Sequence, residues 1–319
     1  MKICDINIRD PFVLVENETY FMYGTRAKNF GRRVEGFDVY TSTDLQNWDS
    51  HYIDAGIRDT VYNKVWCPDW FIDDNGKIYI TVARQYANTE GNGDFDIYYT
   101  ECTDLATLTF STAHMMQLNG ATSRNHIDPA IVKINNTYHM FVKDETVTSH
   151  KLEYYTSNDF ENWQRVSVDP CNFGAGVEGA ILVKFNGEYY LSAERYTTRT
   201  YSDSYYVLVK TGDFTNYSDK INVIYPDIDI SHGSVIVIDK ELYNGLINQN
   251  YLAIEDVPVK LMITNTFDDY DIVCTRTTVD DSTSGTRCGN YVELFSVDCI
   301  GQYRNNVINF ALSNIPGYG

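Results

Sequence analysis

Apolar and polar residues alternate with a period of two over much of this chain, and turn residues cut the alternation into short runs. IVKI from Ile131, ILVKF from Ile181 and VIVI from Val235 are apolar runs of strand length. Turns of Asn-Glu, Asp-Asn-Gly, Asn-Asn or Asn-Gly follow runs of this kind. The next segments, TYFMYGT, KIYITVA, TYHMFVK and EYYLSA, are rich in Tyr and β-branched residues, which suits a pleated, half-buried surface. A third segment comes after: FDVYTS from Phe37, DIYYTE from Asp96, LEYYTS from Leu152 and YYVLVKT from Tyr205. It ends in TSTDLQNW from Thr41, TSNDFENW from Thr156 or TGDFTNY from Thr211, with a weaker version in CTDLATLTF from Cys102. Ser or Asp there can bond the local backbone and stop the strand. The aromatic that follows can re-enter the core at the start of a fourth strand. Asp44, Asp104, Asp159 and Asp213 belong to these turns and read as structural.

The whole pattern recurs five times. It starts with RDPFVLVENETYFMYGT at Arg9, CPDWFIDDNGKIYITVA at Cys67, IDPAIVKINNTYHMFVK at Ile127, VEGAILVKFNGEYYLSA at Val177 and SHGSVIVIDKELYNGLI at Ser231. Starts roughly 50–60 residues apart mean stacked or radially arranged units. Four strands per unit, five units and almost no helical periodicity predict an all-β, five-bladed β-propeller of four-stranded antiparallel blades. A solenoid is the second choice. The propeller is expected over residues 1–275. The turn-rich TTVDDSTSGTRCGN and the strand-like YVELFSVDC and NNVINFAL, within residues 276–319, either close the last blade or form a small appendage.

Composition narrows the partners. A formal net charge of −19 repels nucleic acid and leaves uncharged carbohydrate as a compatible ligand. The seven cysteines are odd in number and widely spaced, with no CxxC pair, so reduced thiols rather than a zinc site are expected. Cys288 and Cys299 are a candidate bridge. No window approaches a membrane span, and MKICDINIRD contains no signal-peptide core. A cytoplasmic protein is therefore expected, or an extracellular one if a leader has been removed. GxGxxG, Walker-type and HExxH patterns are absent, so no nucleotide or redox cofactor is implied.

In a propeller, the first strand of each blade lines the central channel, so residues at its mouth face one another. Asp10 precedes the first inner strand, Asp128 the third and Glu178 the fourth, at the same phase of the repeat. Asp-Pro at a strand start is also a common turn device. Three carboxyls in one cavity, however, are what glycosidic cleavage uses. One ionised group activates water, one protonated group serves the leaving oxygen, and a third keeps the acid protonated by like-charge repulsion. Trp66, Asp69 and Trp70 open the second blade, either as a stacking wall for a sugar ring or as core. Phe30, Arg32 and Arg33 are placed at the rim.

The ordered set RDPFV, HIDPAIVK and VEGAILVKFNGEYYL, followed by SHGSVI, resembles glycoside hydrolase family 43 over roughly residues 5–265. The blade-end strings TSTDLQNW and TSNDFENW strengthen the likeness. The resemblance implies a five-bladed propeller that releases non-reducing-end sugars from arabinose- and xylose-containing saccharides with inversion. An α-L-arabinofuranosidase is the first choice and a β-xylosidase the second. It further implies Asp10 as general base, Asp128 as the residue that tunes the acid and orients the sugar, and Glu178 as general acid. An inverting pair stands about 6.5–9.5 Å apart. His232, in its HGS context, matches the family's central-channel histidine, beside which some members carry a calcium ion with its water shell. A structural calcium that braces the channel is therefore expected, with a satisfied turn histidine as the alternative. Arg195, in SAERY, resembles a family arginine that bonds the acid or the sugar hydroxyls, or else forms a blade-edge ion pair. Two departures blur the substrate: Ala180 stands where many members have proline, and CPDW replaces an alanine-led string. The rivals are a carbohydrate-binding propeller without turnover and a retaining fructan-type hydrolase.

Overall fold

The period-two runs become strands. The computed structural model describes residues 2–4, 6, 8–26, 37–45, 47–53, 62–86, 93–121, 123–146, 150–185, 187–195, 205–223, 232–239, 270–279 and 289–295. Phe30, Arg32, Arg33, Cys288, Cys299 and NNVINFAL lie outside the described residues. After β1 (Lys2–Cys4), a first antiparallel sheet runs in order through β2 (Ile8–Glu16), β3 (Thr19–Arg26), β4 (Phe37–Ser42) and β5 (Asp49–Ile53). A second sheet contains β6 (Tyr62–Ile72), β7 (Ile78–Tyr86) and β8 (Phe95–Asp104), with the short β9 (Thr109–Phe110) and β10 (His114–Met115) both against β8. β11 (Gln117–Asn119) runs parallel along the outer edge of a third sheet, made of β12 (His126–Ile134), β13 (Thr137–Asp144), β14 (Leu152–Ser157) and β15 (Asn162–Val168). The fourth sheet is β16 (Val177–Phe185), β17 (Glu188–Arg195), β18 (Tyr205–Thr211) and β19 (Ile221–Val223). The last joins β20 (Gly233–Asp239), β21 (Tyr270–Val279) and β22 (Gly289–Phe295) to β1.

Inner strands β2, β6, β12, β16 and β20 touch in that order, and β20 touches β2 again. The fold is an all-β propeller. Four blades are each wound from consecutive strands, one fewer than the five consecutive blades predicted. The physical difference lies in the fifth repeat. Its inner strand β20 pairs with β21, some thirty residues on, and ELYNGLI, expected as the second strand, lies outside the described residues. The domain boundary expected after residue 275 falls inside β21. Among the described residues no helix is long and apolar enough to cross a membrane.

The core sits between neighbouring sheets. Phe12, Leu14, Tyr23, Phe37, Trp70 and Val82 fill the seam between the first two blades. Phe71, Ile97, Met140, Tyr155 and Trp163 belong to the next seam, and Phe141, Tyr154, Leu191 and Val209 to the third. Each fully buried side chain of this size contributes about 1.5–3 kcal/mol, so the seams hold the inner strands in fixed relation. Ion pairing adds to the second seam: Lys133 and Tyr138 of the third blade both donate to Asp73 in the second, at 2.6 and 2.7 Å.

Candidate active site

Four inner strands share one irregularity. Regular pairing breaks between Arg9 and Phe12, Trp66 and Asp69, Ile127 and Ala130, and Glu178 and Ile181. Each break inserts one extra residue into the inner strand, a β-bulge that re-aims a side chain. The first bulged residue is left-handed in every case: Asp10 at φ 52°, Cys67 at 49°, Asp128 at 58° and Gly179 at 61°. For the non-glycine residues this conformation costs on the order of 1–3 kcal/mol each. Glu178 therefore stands one residue before the bulge, and Gly179 takes the place held by Asp10 and Asp128. The expectation of one phase for all three acids is corrected on this point. Glycine is required there because a Cβ at Gly179 would lie 2.6 Å from the His232 ring.

The bulges gather the acids about His232, at the start of β20. Its Nδ1 lies 3.3 Å from Asp10 Oδ1 and 3.9 Å from Asp128 Oδ1. Asp10 Oδ2 accepts the Thr25 hydroxyl proton at 2.7 Å, and Thr25 Oγ1 in turn accepts the Cys67 backbone N–H at 2.9 Å. That chain fixes the hydroxyl and presents its proton to the carboxylate. Asp128 Oδ2 accepts the Gly179 N–H at 2.9 Å, which ties the third blade to the residue beside Glu178. Burial disfavours charge on His232, but the carboxylates of Asp128, Asp10 and Glu178 outweigh it and raise the imidazole to about 9. The histidine is thus a buried cation among three acids.

Glu178 reaches the Lys143 ammonium at 2.6 Å, and Glu145 shares that ammonium at 2.6 Å. Lys143 is buried at the end of β13. Sequence reasoning missed it because the contact crosses between blades, and nothing in TYHMFVK marks the lysine as inward. It also passed over Thr25 and Cys67 as neighbours of Asp10. The signal for Cys67 was its register, since WCPD matches RDPF and IDPA.

Other expected residues lie differently. Trp70 is core: its ring packs edge-on against Tyr23 at 5.1 Å and Phe21 at 6.2 Å, so it forms no stacking wall. Trp66 is half-buried and stacks on Phe95 at 4.6 Å, with the Lys64 ammonium 4.8 Å from its ring. Desolvation holds the Asp69 carboxyl well above the usual range, against the opposing Trp70 N–H and His232 charge. Burial, with the charges of Asp69 and Cys67, also pushes up the Tyr23 phenol. Arg195 donates to the Phe173 carbonyl, so its described hydrogen bond goes to backbone rather than to Glu178.

The calcium expected beside His232 is one held through its own water shell rather than by direct side-chain ligands. Asp10, Cys67 and His232 offer ligand atoms within 4.8 Å of one another. Calcium takes six to eight oxygens, so the thiol and the imidazole of this group would not be its direct ligands.

A family described as "Probable glycosyl hydrolase domain", related to glycoside hydrolase family 43, matches residues 2–244. No curated protein matches the chain. A thermostable family-43 glycoside hydrolase is similar in structure with a TM-score of 0.58 and 17% identity, over 90% of this chain and 88% of that one. An α-L-arabinofuranosidase from Lactobacillus brevis gives 0.61 and 12%, over 90% of each chain. An exo-β-1,3-galactanase from Clostridium thermocellum gives 0.61 and 14%, over 92% of this chain and 60% of that one. At such identities the likeness is one of fold.

Proposed function

The chain belongs to the family-43-related glycoside hydrolases, and from that premise we propose that it cleaves non-reducing-end glycosidic bonds with inversion. The carrying observation is the convergence of acids from three blades on the His232 imidazole. Asp10 is the general base. Both its oxygens face donors, the Thr25 hydroxyl and the His232 imidazole, which favours the ionised form that takes a proton from water. Asp128 orients the sugar, and its charge supports a proton on the acid. Glu178 is that acid and delivers its proton to the leaving oxygen. Lys143 pulls the other way, since an ammonium at 2.6 Å favours the carboxylate. Glu145 competes for the same ammonium and weakens the pull. A working proton on Glu178 therefore belongs to an optimum on the acidic side of neutrality.

The substrate is an α-L-arabinofuranoside first and a β-xyloside second. A β-1,3-galactoside joins the panel because one structural neighbour is described as an exo-β-1,3-galactanase. The sheet of β20, β21, β22 and β1 is read as a fifth blade, in which C-terminal strands close the ring. The test is an aryl-glycoside panel with proton NMR of the first-formed anomer. Inverted product from wild type, none from Asp10→Asn, and a loss in Glu178→Gln that is steepest for poor leaving groups are expected. A retained anomer overturns inversion, and no release from any substrate leaves a carbohydrate-binding propeller.

A further inference from the structure

We propose that Asp10, Cys67 and His232 form a binding site for a thiophilic divalent cation of the zinc class, and that occupancy shuts down the hydrolase. The ligand atoms come from three different blades, and all three residues are buried. His232 Nδ1 is 3.3 Å from Asp10 Oδ1, and Cys67 Sγ is 3.7 Å from Asp10 Oδ2. Metal–ligand bonds of about 2.0–2.3 Å in a tetrahedron separate neighbouring ligand atoms by roughly these distances. One thiolate, one imidazole and one carboxylate suit zinc, not calcium or magnesium.

A second observation points to the same ligand. Asp128 Oδ1 is buried, faces the same imidazole nitrogen at 3.9 Å, and has no hydrogen-bond partner among the described residues. A buried carboxylate oxygen without a hydrogen bond is costly, and the imidazole at 3.9 Å is too far to donate one. That oxygen is placed to serve as a fourth ligand or to accept from a metal-bound water. The site exists because the second-blade bulge carries a cysteine. The backbone holds residue 67 in the same left-handed turn as Asp10 and Asp128, so its side chain is delivered to the same centre. Binding releases two protons to solvent, one from the thiol and one from the His232 imidazolium, as the thiolate and the neutral imidazole take the metal. It also engages Asp10, and the inhibitory half of the proposal rests on the reading of Asp10 as the base.

Metal binding and turnover are to be measured separately on the full chain. Cobalt(II) is titrated into chelator-treated protein, and the thiolate-to-cobalt charge-transfer band is followed in the near ultraviolet. Wild type is expected to show the band at one ion per chain and to lose it on addition of zinc, but not of calcium. Cys67→Ala and Cys67→Ser, each checked by circular dichroism for a native β spectrum, are expected to bind about 100-fold more weakly. No thiolate band in wild type, or equal affinity in the folded variants, overturns the site. Zinc is expected to slow glycoside hydrolysis by wild type and to spare Cys67→Ser; equal sensitivity overturns the inhibitory role. A cobalt–thiolate band in a chain that hydrolyses nothing keeps the metal site and sinks the glycosidase reading. Turnover without the band does the reverse.

Discussion

Gly179 is the position where one methyl group decides the most. A Cβ there would lie 2.6–2.8 Å from three atoms of the His232 ring, and φ is 61°. Gly179→Ala is expected to cost at least about 2 kcal/mol in chemical denaturation and to lower kcat without removing a titrating group; unchanged stability and kcat would count against the packing argument. Lys143 is the complementary case. Lys143→Met removes the ammonium from Glu178, so the acid stays protonated to higher pH. The alkaline limb of the rate profile is expected to move to higher pH, and a limb that stays in place would show that Lys143 does not govern the proton. The three acids were legible in the sequence because each opens a repeat. Their exact phase was not, since Glu178 and Gly179 are adjacent and only strand pairing shows which of them enters the bulge. Trp70 was ambiguous for a similar reason: an aromatic next to a channel and an aromatic in a seam look alike until packing is known.

The blade-end turn is the most repeatable element. In TSNDFENW, Ser157 Oγ accepts the Phe160 N–H at 3.1 Å, and Asp159 Oδ1 accepts the Asn162 N–H at 2.7 Å. The Asn162 amide then donates to Asp159 Oδ2 at 2.9 Å. Ser42, Asp44 and Asn47 repeat the arrangement, as do Thr211, Asp213 and Asn216. Leu45, Phe160 and Phe214 occupy the left-handed position and are buried, so each turn buries an apolar side chain, and those of Phe160 and Phe214 enter the seams. Backbone and side-chain donors from Asn162 bring the Asp159 carboxyl down to about 2. Asp159→Ala is expected to cost about 1 kcal/mol, the loss typical of a capping acceptor. A urea midpoint equal to wild type would refute this. These turns could be read from sequence because every partner lies within five residues. The β20–β21 pair could not, because its two strands are separated by a long stretch with no strict alternation.

Two buried charges set the pH range of the whole molecule from opposite sides. His232 is raised from 6.5 to about 9. Its contribution, on the order of 3 kcal/mol, is therefore complete below about pH 6.5 and lost as pH rises through 9. Burial works against the Glu153 charge, but hydrogen bonds from His126, Tyr155 and Arg165 outweigh it and lower the carboxyl from 4.5 to about 2. That contribution is present above 4.5 and disappears as pH falls toward 2. Thermal midpoints should thus plateau in mildly acidic buffer and decline on both flanks, with the alkaline decline flattened in His232→Gln; an alkaline flank identical in that variant would rule out the histidine as its source. The pairing of β1 with β22 has a bearing on synthesis. Lys2–Cys4 leaves the ribosome long before Gly289–Phe295, so this strand must wait for its partner before the sheet is complete. Until then β1, only a few residues ahead of Asp10, has no strand to pair with in its final sheet.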